Sequence, residues 1–332
     1  MSVRLSSVLT EALALLDGTN TVDAICLKVA DCNAVQLSNF LSYLISQNLL
    51  ADENWIYQLG FEDAYLELIE KQLYFLMDVL PSVDAVEAAQ RKLRALKIVI
   101  VGLGSVGGSI MVQLLQMGCE NLLLADFRAL SEKSVSRHVF FEESGVGIPK
   151  TKYYQRVAHD INPNASVKTM DLAVRAESLP EDELREVDLI VNCADEPYIG
   201  YSNILLSRFC VQHSKILLVP GGFDAHLATL GELIIPGVTP CADCYDTHFK
   251  ESLSEWKPKP HPVKNREFGF GGLVSLSNFS AAAAAMQVLK YVAGNEMKAK
   301  GVAGGRGEFR FDDYSIDSFE VQRNTSCRIC QQ

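Results

Sequence analysis

No stretch of this chain is apolar for anything near the ~20 residues that a membrane span requires. Its N-terminus, MSVRLSSVLTEALALLDGTN, also lacks the basic, apolar and small-residue order of a secretory signal. Both absences predict a cytoplasmic protein with no membrane partner. Positive charge is scarce as well: 30 lysines and arginines stand against 41 aspartates and glutamates, a net charge of −11. That balance argues against nucleic acid as a partner, because neutralising phosphates needs a basic face. Internal repeats and low-complexity tracts are missing too. Cysteine, by contrast, is plentiful. Nine thiols in a cytosolic chain are not a disulfide framework, and their odd number leaves at least one unpaired.

A length of 332 residues accommodates one large α/β domain and a small module. Residues 1–60 read as that module. Val8–Leu16 has helical period and stops at Asp17-Gly18, Thr21–Ile25 opens a second helix, and 33–47 carries a third apolar stripe. Leu49–Asp52 and Trp55–Gln58 then suggest a short strand pair, completing a winged-helix outline. Residues 61–96 are a helical connector interrupted by Pro81. From Lys97 onward, apolar runs at Lys97–Val101, Asn121–Ala125, Ser166–Met170, Asp188–Cys193 and Lys215–Val219 alternate with helical stretches. That rhythm predicts an α/β fold with a doubly wound, Rossmann-like, mostly parallel sheet over residues 97–330. Ala228–Ile235 reads as shorter strands and Ser277–Val292 as a helix stopped by Gly294.

Two motifs carry chemistry. Gly102-Leu103-Gly104-Ser105-Val106-Gly107 follows a strand and opens a helix, so Gly102, Gly104 and Gly107 let the backbone approach a phosphate at a helix N-terminus. Asp126, ending the next strand, is placed to bind ribose hydroxyls. Taken alone, these features suit NAD, FAD and ATP equally. The second motif pairs Cys241-Ala242-Asp243-Cys244 with Cys327-Arg328-Ile329-Cys330. Four thiolates, two from each CxxC, fill a tetrahedral zinc site with no open position, which makes the metal structural. A thioredoxin-type CxxC would open a helix after a strand, and neither pair reads that way. The charged, Pro-rich segment 251–272 suggests a substrate lid with Trp256, Lys257, Lys259 and His261 as contacts.

Gly102 to Gly107, Asp126, Ser136-Arg137-His138, Gly147-Ile148-Pro149-Lys150, Cys193-Ala194-Asp195 and the paired CxxC motifs occur in the order seen in the ThiF/MoeB family. The chain therefore resembles the adenylating enzymes related to ubiquitin-activating enzymes over roughly residues 97–330. That resemblance implies an ATP-dependent, carboxylate-activating adenylyltransferase and a homodimer. It also implies that Arg137 and Lys150 contact the triphosphate and that Asp195 helps hold Mg2+. Some positions depart from the family pattern. Ser134 stands where an asparagine is usual, Arg128 replaces a second acid after Asp126, and Lys71–Phe75 offers no match for a cross-dimer arginine.

Members that pass an acyl group to sulfur carry a cysteine in the crossover, and this chain has none between Asp246 and Ser280. Cys193 and Cys210 fall on apolar elements and read as inert. The resemblance thus leans towards the peptide-modifying branch, as in microcin C and pantocin biosynthesis. The N-terminal pattern Leu16-Asp17-Gly18-Thr19-x-Thr21-Val22-x-x-Ile25, with Leu49-Leu50, is similar to PqqD-like peptide-recognition domains. The expected substrate is a carboxylate on a ribosomally made precursor peptide, in antibiotic biosynthesis. The alternative is a ubiquitin-like sulfur-carrier protein of thiamin or molybdopterin biosynthesis.

Overall fold

Three short helices open the chain, each started by a side chain that satisfies backbone N–H groups left over at a helix end. Ser6 caps α1 (Ser7–Leu13), Thr21 caps α2 (Val22–Lys28), and the Asn33 side chain accepts from Val35 N and Gln36 N to begin α3 (Ala34–Ser46). The computed structural model describes residues 5–47, 49–50, 54–134, 136–138, 140, 142–197, 199–221, 223–224, 227–255, 272–294 and 305–330. The chain divides into two compact units, Met1–Glu87 and Ala88–Gln332. Among the described residues no helix is long and apolar enough to cross a membrane.

In the first unit, α1 to α3 close on Ala12, Ile25, Val29 and Leu37, with Cys26 and Cys32 packed against them. The strand pair expected at 49–58 is not what forms. Trp55–Leu59 is a 3-10 helix ended by Gly60 in the left-handed region, and 51–53 lie outside the described residues. Burial explains the difference: Trp55, Ile56 and Leu59 all turn inward, a spacing that suits a helical turn and not alternation. Then α4 (Asp63–Val79) buries Tyr65, Leu66, Ile69, Leu73 and Leu76 along one stripe. Pro81 lies between it and α5 (Val83–Ala95).

The second unit is built on one six-stranded sheet. In chain order come β1 (Lys97–Val101), α6 (Ser105–Gln116), β2 (Asn121–Ala125), α7 (Lys150–Ile161), β3 (Ser166–Met170), α8 (Glu181–Arg185), β4 (Leu189–Asn192), α9 (Ile199–His213) and β5 (Ile216–Val219). The remainder are β6 (Phe223–Asp224), β7 (Leu227–Thr229), β8 (Glu232–Ile234), α10 (Ala242–Ser252), α11 (Val274–Ala293), β9 (Gly305–Arg310) and β10 (Ile316–Glu320). The large sheet runs β3-β2-β1-β4-β5-β8, parallel except for β8. Residues 98–101 of β1 are at most 1% exposed, as expected of a strand covered on both faces.

The apolar run 228–235, expected as shorter strands, forms two. Gly231, at φ +87°, turns the chain after β7, so that β7 joins a second antiparallel sheet (β10-β9-β7-β6) while β8 closes the first. Helix α11 lies against α6, and its run Ala281–Ala285 keeps the two backbones close. Gly294, at φ +66°, caps α11 as expected. Of the proposed lid, residues 256–271, including Trp256, Lys257, Lys259 and His261, lie outside the described residues.

Candidate active site

Strand order reverses between β1 and β4, where β1 continues to β2 on one side and β4 to β5 on the other. At such a switch point the loops leaving the two strands part and open a crevice. A cavity of about 560 Å³ sits there, and all seven residues expected around the nucleotide line it: Gly102, Gly104, Gly107, Asp126, Arg137, Lys150 and Asp195. Sequence separation explains little of this convergence. It follows from five parallel strands ending on one edge.

The glycine turn is held by geometry that admits no side chain at two of its three positions. Gly102 has φ +90°, and a Cβ there would lie 2.7 Å from the Cys193 backbone. At Gly107 a Cβ would come within 2.0 Å of the Gly102 carbonyl oxygen. Gly104 is different, because a Cβ on it would meet nothing within 4 Å. Its bareness leaves open space at the N-terminus of α6, where unpaired N–H groups and the positive end of the helix dipole attract an anion. We expect Gly107→Ala to cost about 3 kcal/mol. Thermal unfolding should show it as a fall of roughly 6–12 °C for a unit of this size.

Asp126 fixes the same turn from the next strand. It is 8% exposed; Oδ2 accepts from Leu103 N at 2.7 Å and Oδ1 from Arg128 N at 2.8 Å. Lys150, the first residue of α7, reaches Asp126 Oδ2 with its Nζ at 3.5 Å and keeps 12% of its side chain exposed. Its charge is thus partly desolvated and aimed along the cavity wall, where it is worth more than in bulk water. Arg137 is exposed, and its carbonyl oxygen accepts from Ser105 Oγ at 2.6 Å, which ties the arginine's loop to the start of α6. On the opposite wall Asn192 is an unusual polar residue at the buried end of β4. Its amide donates to Ser202 Oγ and Asn203 Oδ1, and its Oδ1 accepts from Ala194 N. That network shapes the loop that presents Asp195 at the cavity rim.

Several lining residues escaped the sequence reading. Arg128, noted only as a departure, forms an ion pair with Glu196, so the loops after β2 and β4 are joined across the cavity. Arg175, after β3, adds a half-buried cation for which the sequence offers no signal. His138 is 7% exposed, and its Nδ1 lies 2.7 Å from the Tyr154 hydroxyl. Burial, helped by the Lys150 and Arg137 charges, pushes its pKa down to about 4. The imidazole is therefore neutral at physiological pH and adds no charge to a wall that already holds cations.

The sign of the pH effect follows. Between its ordinary value of 6.5 and about 4, the unfolded chain takes up a proton that the folded chain refuses. Stability is thus full above 6.5 and falls as the pH drops towards 4. His138→Gln removes that contribution. Its melting temperature should decline less than that of the parent over this window.

The four CxxC cysteines converge as the sequence implied. Sγ separations are 3.8 Å for Cys241–Cys244, 3.7 Å for Cys241–Cys327 and 3.5 Å for Cys244–Cys330. A tetrahedron of ~2.3 Å zinc–sulfur bonds has edges of about 3.8 Å, so the donor set fits zinc. Asn324 N donates to Cys244 Sγ at 3.4 Å, and Arg323 donates to the carbonyls of Gly237 and Cys330. Those contacts orient the ligands from outside. One expectation is corrected: Cys241 is the N-cap of α10, so the first CxxC does open a helix. The chain turns there because Thr239 and Pro240 end the segment after β8, and the meeting of four thiols, not helix position, separates a metal site from a redox pair. Cys210 is buried and Cys193 half-buried, and desolvation raises both thiols.

A doubly wound sheet with a glycine turn, a cation-rich cavity at the switch point and a tetrathiolate staple defines a nucleotide-binding enzyme with a zinc-type structural site. The profile of the ThiF family matches residues 79–329, and the chain belongs to that family of ATP-dependent adenylyltransferases. Protein HesA (vegetative) of Trichormus variabilis is 28% identical over 210 residues, 63% of this chain and 71% of that protein. The molybdopterin-synthase adenylyltransferase of Haemophilus influenzae is 32% identical over 143 residues, 43% of this chain and 56% of its own length. In fold, the chain is similar to E. coli MccB crystallised with MccA-N7isoASN, at a TM-score of 0.73 and 20% identity. That match covers 100% of this chain and 92% of the other. MccB has also been crystallised with ATP.

Proposed function

We propose that this enzyme adenylates a carboxylate on a ribosomally made precursor peptide in the cytosol, as a step in peptide antibiotic biosynthesis. The observation that carries the reading is the single cavity that gathers the glycine turn, Asp126, Lys150, Arg137 and Asp195. The volume suits a nucleotide. The ribose binds to Asp126, whose Oδ1 keeps a lone pair beyond the bond it accepts from Arg128 N. The phosphates lie at the N-terminus of α6 between Lys150 and Arg137. A peptide carboxylate oxygen attacks the α-phosphorus, the bond to the bridging oxygen breaks, and pyrophosphate leaves. Two anions must meet in that step, so fixed cations lower its barrier by offsetting charge in the transition state. Asp195 is the residue that would hold magnesium, a hard cation that adds positive charge over the triphosphate.

Two facts favour a peptide over a carrier protein. The likeness to MccB extends over the whole chain, first unit included, and MccB is crystallised with MccA. The crossover also lacks a thiol to receive an acyl group. The first unit holds the precursor in the manner of a PqqD-like domain, and two copies of the chain form the working dimer. Pyrophosphate release from ATP should require a candidate precursor peptide. The alternative substrate, a ubiquitin-like carrier ending in Gly-Gly, should give none and should show no AMP adduct by intact mass. Carrier-dependent release with no peptide response would reverse the assignment.

A further inference from the structure

The first unit holds a cysteine pair that the adenylation chemistry does not use. Cys26 lies on α2 and Cys32 in the turn before α3, and their Sγ atoms are 2.9 Å apart. Asp31, at φ +60°, makes the sharp reversal that folds Cys32 back on Cys26, and Cys32 N donates to Val29 O at 3.3 Å. Their separation differs from that in the tetrathiolate cluster. Sulfurs on one zinc stand about 3.8 Å apart, and this pair is much closer. No third metal-ligating side chain joins it among the described residues. The pair is thus placed for a bond between its two sulfurs, not for an ion.

Access separates these thiols from two of the other unligated ones. Cys119 and Cys210 are 0% exposed, with no small molecule able to reach them. Cys26 and Cys32 are both half-buried, and Cys32 lines a cavity of about 270 Å³ together with Leu9, Asp31 and Asn33. That opening lets a small disulfide reach Cys32 first, with Cys26 behind it. Cys26 shares a hydrogen bond with Cys32, and this bond with burial pushes its thiol up to about 11.

We propose that Cys26 and Cys32 form a redox-active dithiol that low-molecular-weight disulfides of the glutathione type close to an intrachain disulfide. The Cys32 thiolate attacks one sulfur of the small disulfide, whose S–S bond breaks and releases one thiolate. Cys26 then loses its proton, and its sulfur attacks Cys32 Sγ, expelling the second small thiol. Two protein thiols give up two electrons and two protons, and one small disulfide becomes two thiols. The new bond ties α2 to the start of α3. A unit whose helical core rests on Ala12, Ile25, Val29 and Leu37 gains from such a staple.

Lys28 falls between the two cysteines, so trypsin places them on separate peptides that stay together only if disulfide-linked. The full chain is equilibrated over a range of oxidised-to-reduced glutathione ratios, blocked with N-ethylmaleimide and digested. The expected result is a linked Cys26–Cys32 peptide pair that grows with the ratio and vanishes on adding dithiothreitol. It should be missing from Cys26→Ser and from Cys32→Ser, and closure should raise the first unit's melting by a few degrees, roughly what a short ring gives. Maleimide on both cysteines at every ratio would overturn the proposal. So would Cys32 held as a stable glutathione adduct with Cys26 still alkylated. Neither readout depends on ATP or peptide, so failure here leaves the adenylation reading untouched.

Discussion

Lys150→Ala is expected to lower kcat/KM for peptide-dependent pyrophosphate release by about 100- to 1,000-fold, the usual cost of removing one fixed positive donor from a developing oxyanion. The reason lies in its placement. Lys150 begins α7, its Nζ is 3.5 Å from Asp126, and only 12% of its side chain meets solvent. A cation held this way is already desolvated before the nucleotide arrives, so its field needs no reorganisation during the reaction. The fold should survive the change, because Asp126 keeps its bonds from Leu103 N and Arg128 N. Circular dichroism and melting close to the parent, with activity lost, separate a charge effect from unfolding. Lys150→Arg should recover only part of the rate, since a planar guanidinium cannot sit where the compact ammonium does. A Lys150→Ala enzyme within threefold of the parent would remove this residue from the chemistry.

Cys327→Ser should have the largest effect on stability. The Cys241–Cys244 pair opens α10, while Cys327 and Cys330 lie at the end of the chain's described residues, so the four thiols fasten the tail after β10 to the body. Losing one thiolate leaves three donors and an incomplete tetrahedron, and structural zinc contributes much of the folding free energy of the segment it binds. Elemental analysis should find about one zinc per parent chain and far less in the variant. Melting should drop on the order of 10 °C or more, with early proteolysis after residue 320. A chelator strong enough to strip zinc should reproduce both changes in the parent. A zinc-free parent that melts as a single cooperative unit would contradict the staple.

Legibility varied with the range of the interactions that decide each feature. Strand β1 and the glycine turn were plain because an apolar run, tight glycines and a helix start are all local signals. Gly107 bears this out in detail, since a Cβ there would strike the Gly102 carbonyl only five residues back, whereas the space at Gly102 is closed by the distant Cys193 backbone. The tetrathiolate was equally plain, because CxxC spacing is chemical and survives the long separation between its halves. Trp55–Leu59 was misread because a short apolar run fits a strand or a helical turn, and only tertiary burial chooses between them. That the two short strands on either side of Gly231 join different sheets was not legible for a similar reason: three-residue strands carry no record of their partners. Arg175 and the Arg128–Glu196 pair were invisible because they belong to loops joined only by the strand order of the sheet. The cavity's charge is a product of topology, and single-position patterns carry no record of it.

Titration calorimetry of the zinc-loaded chain tests the central claim most directly, since it asks which nucleotide the cavity accepts before any substrate is known. The account predicts saturable binding of magnesium-ATP at one site per chain, weakened in Lys150→Ala, with no heat from NAD+. Tight binding of NAD+ alongside silence towards ATP would contradict it.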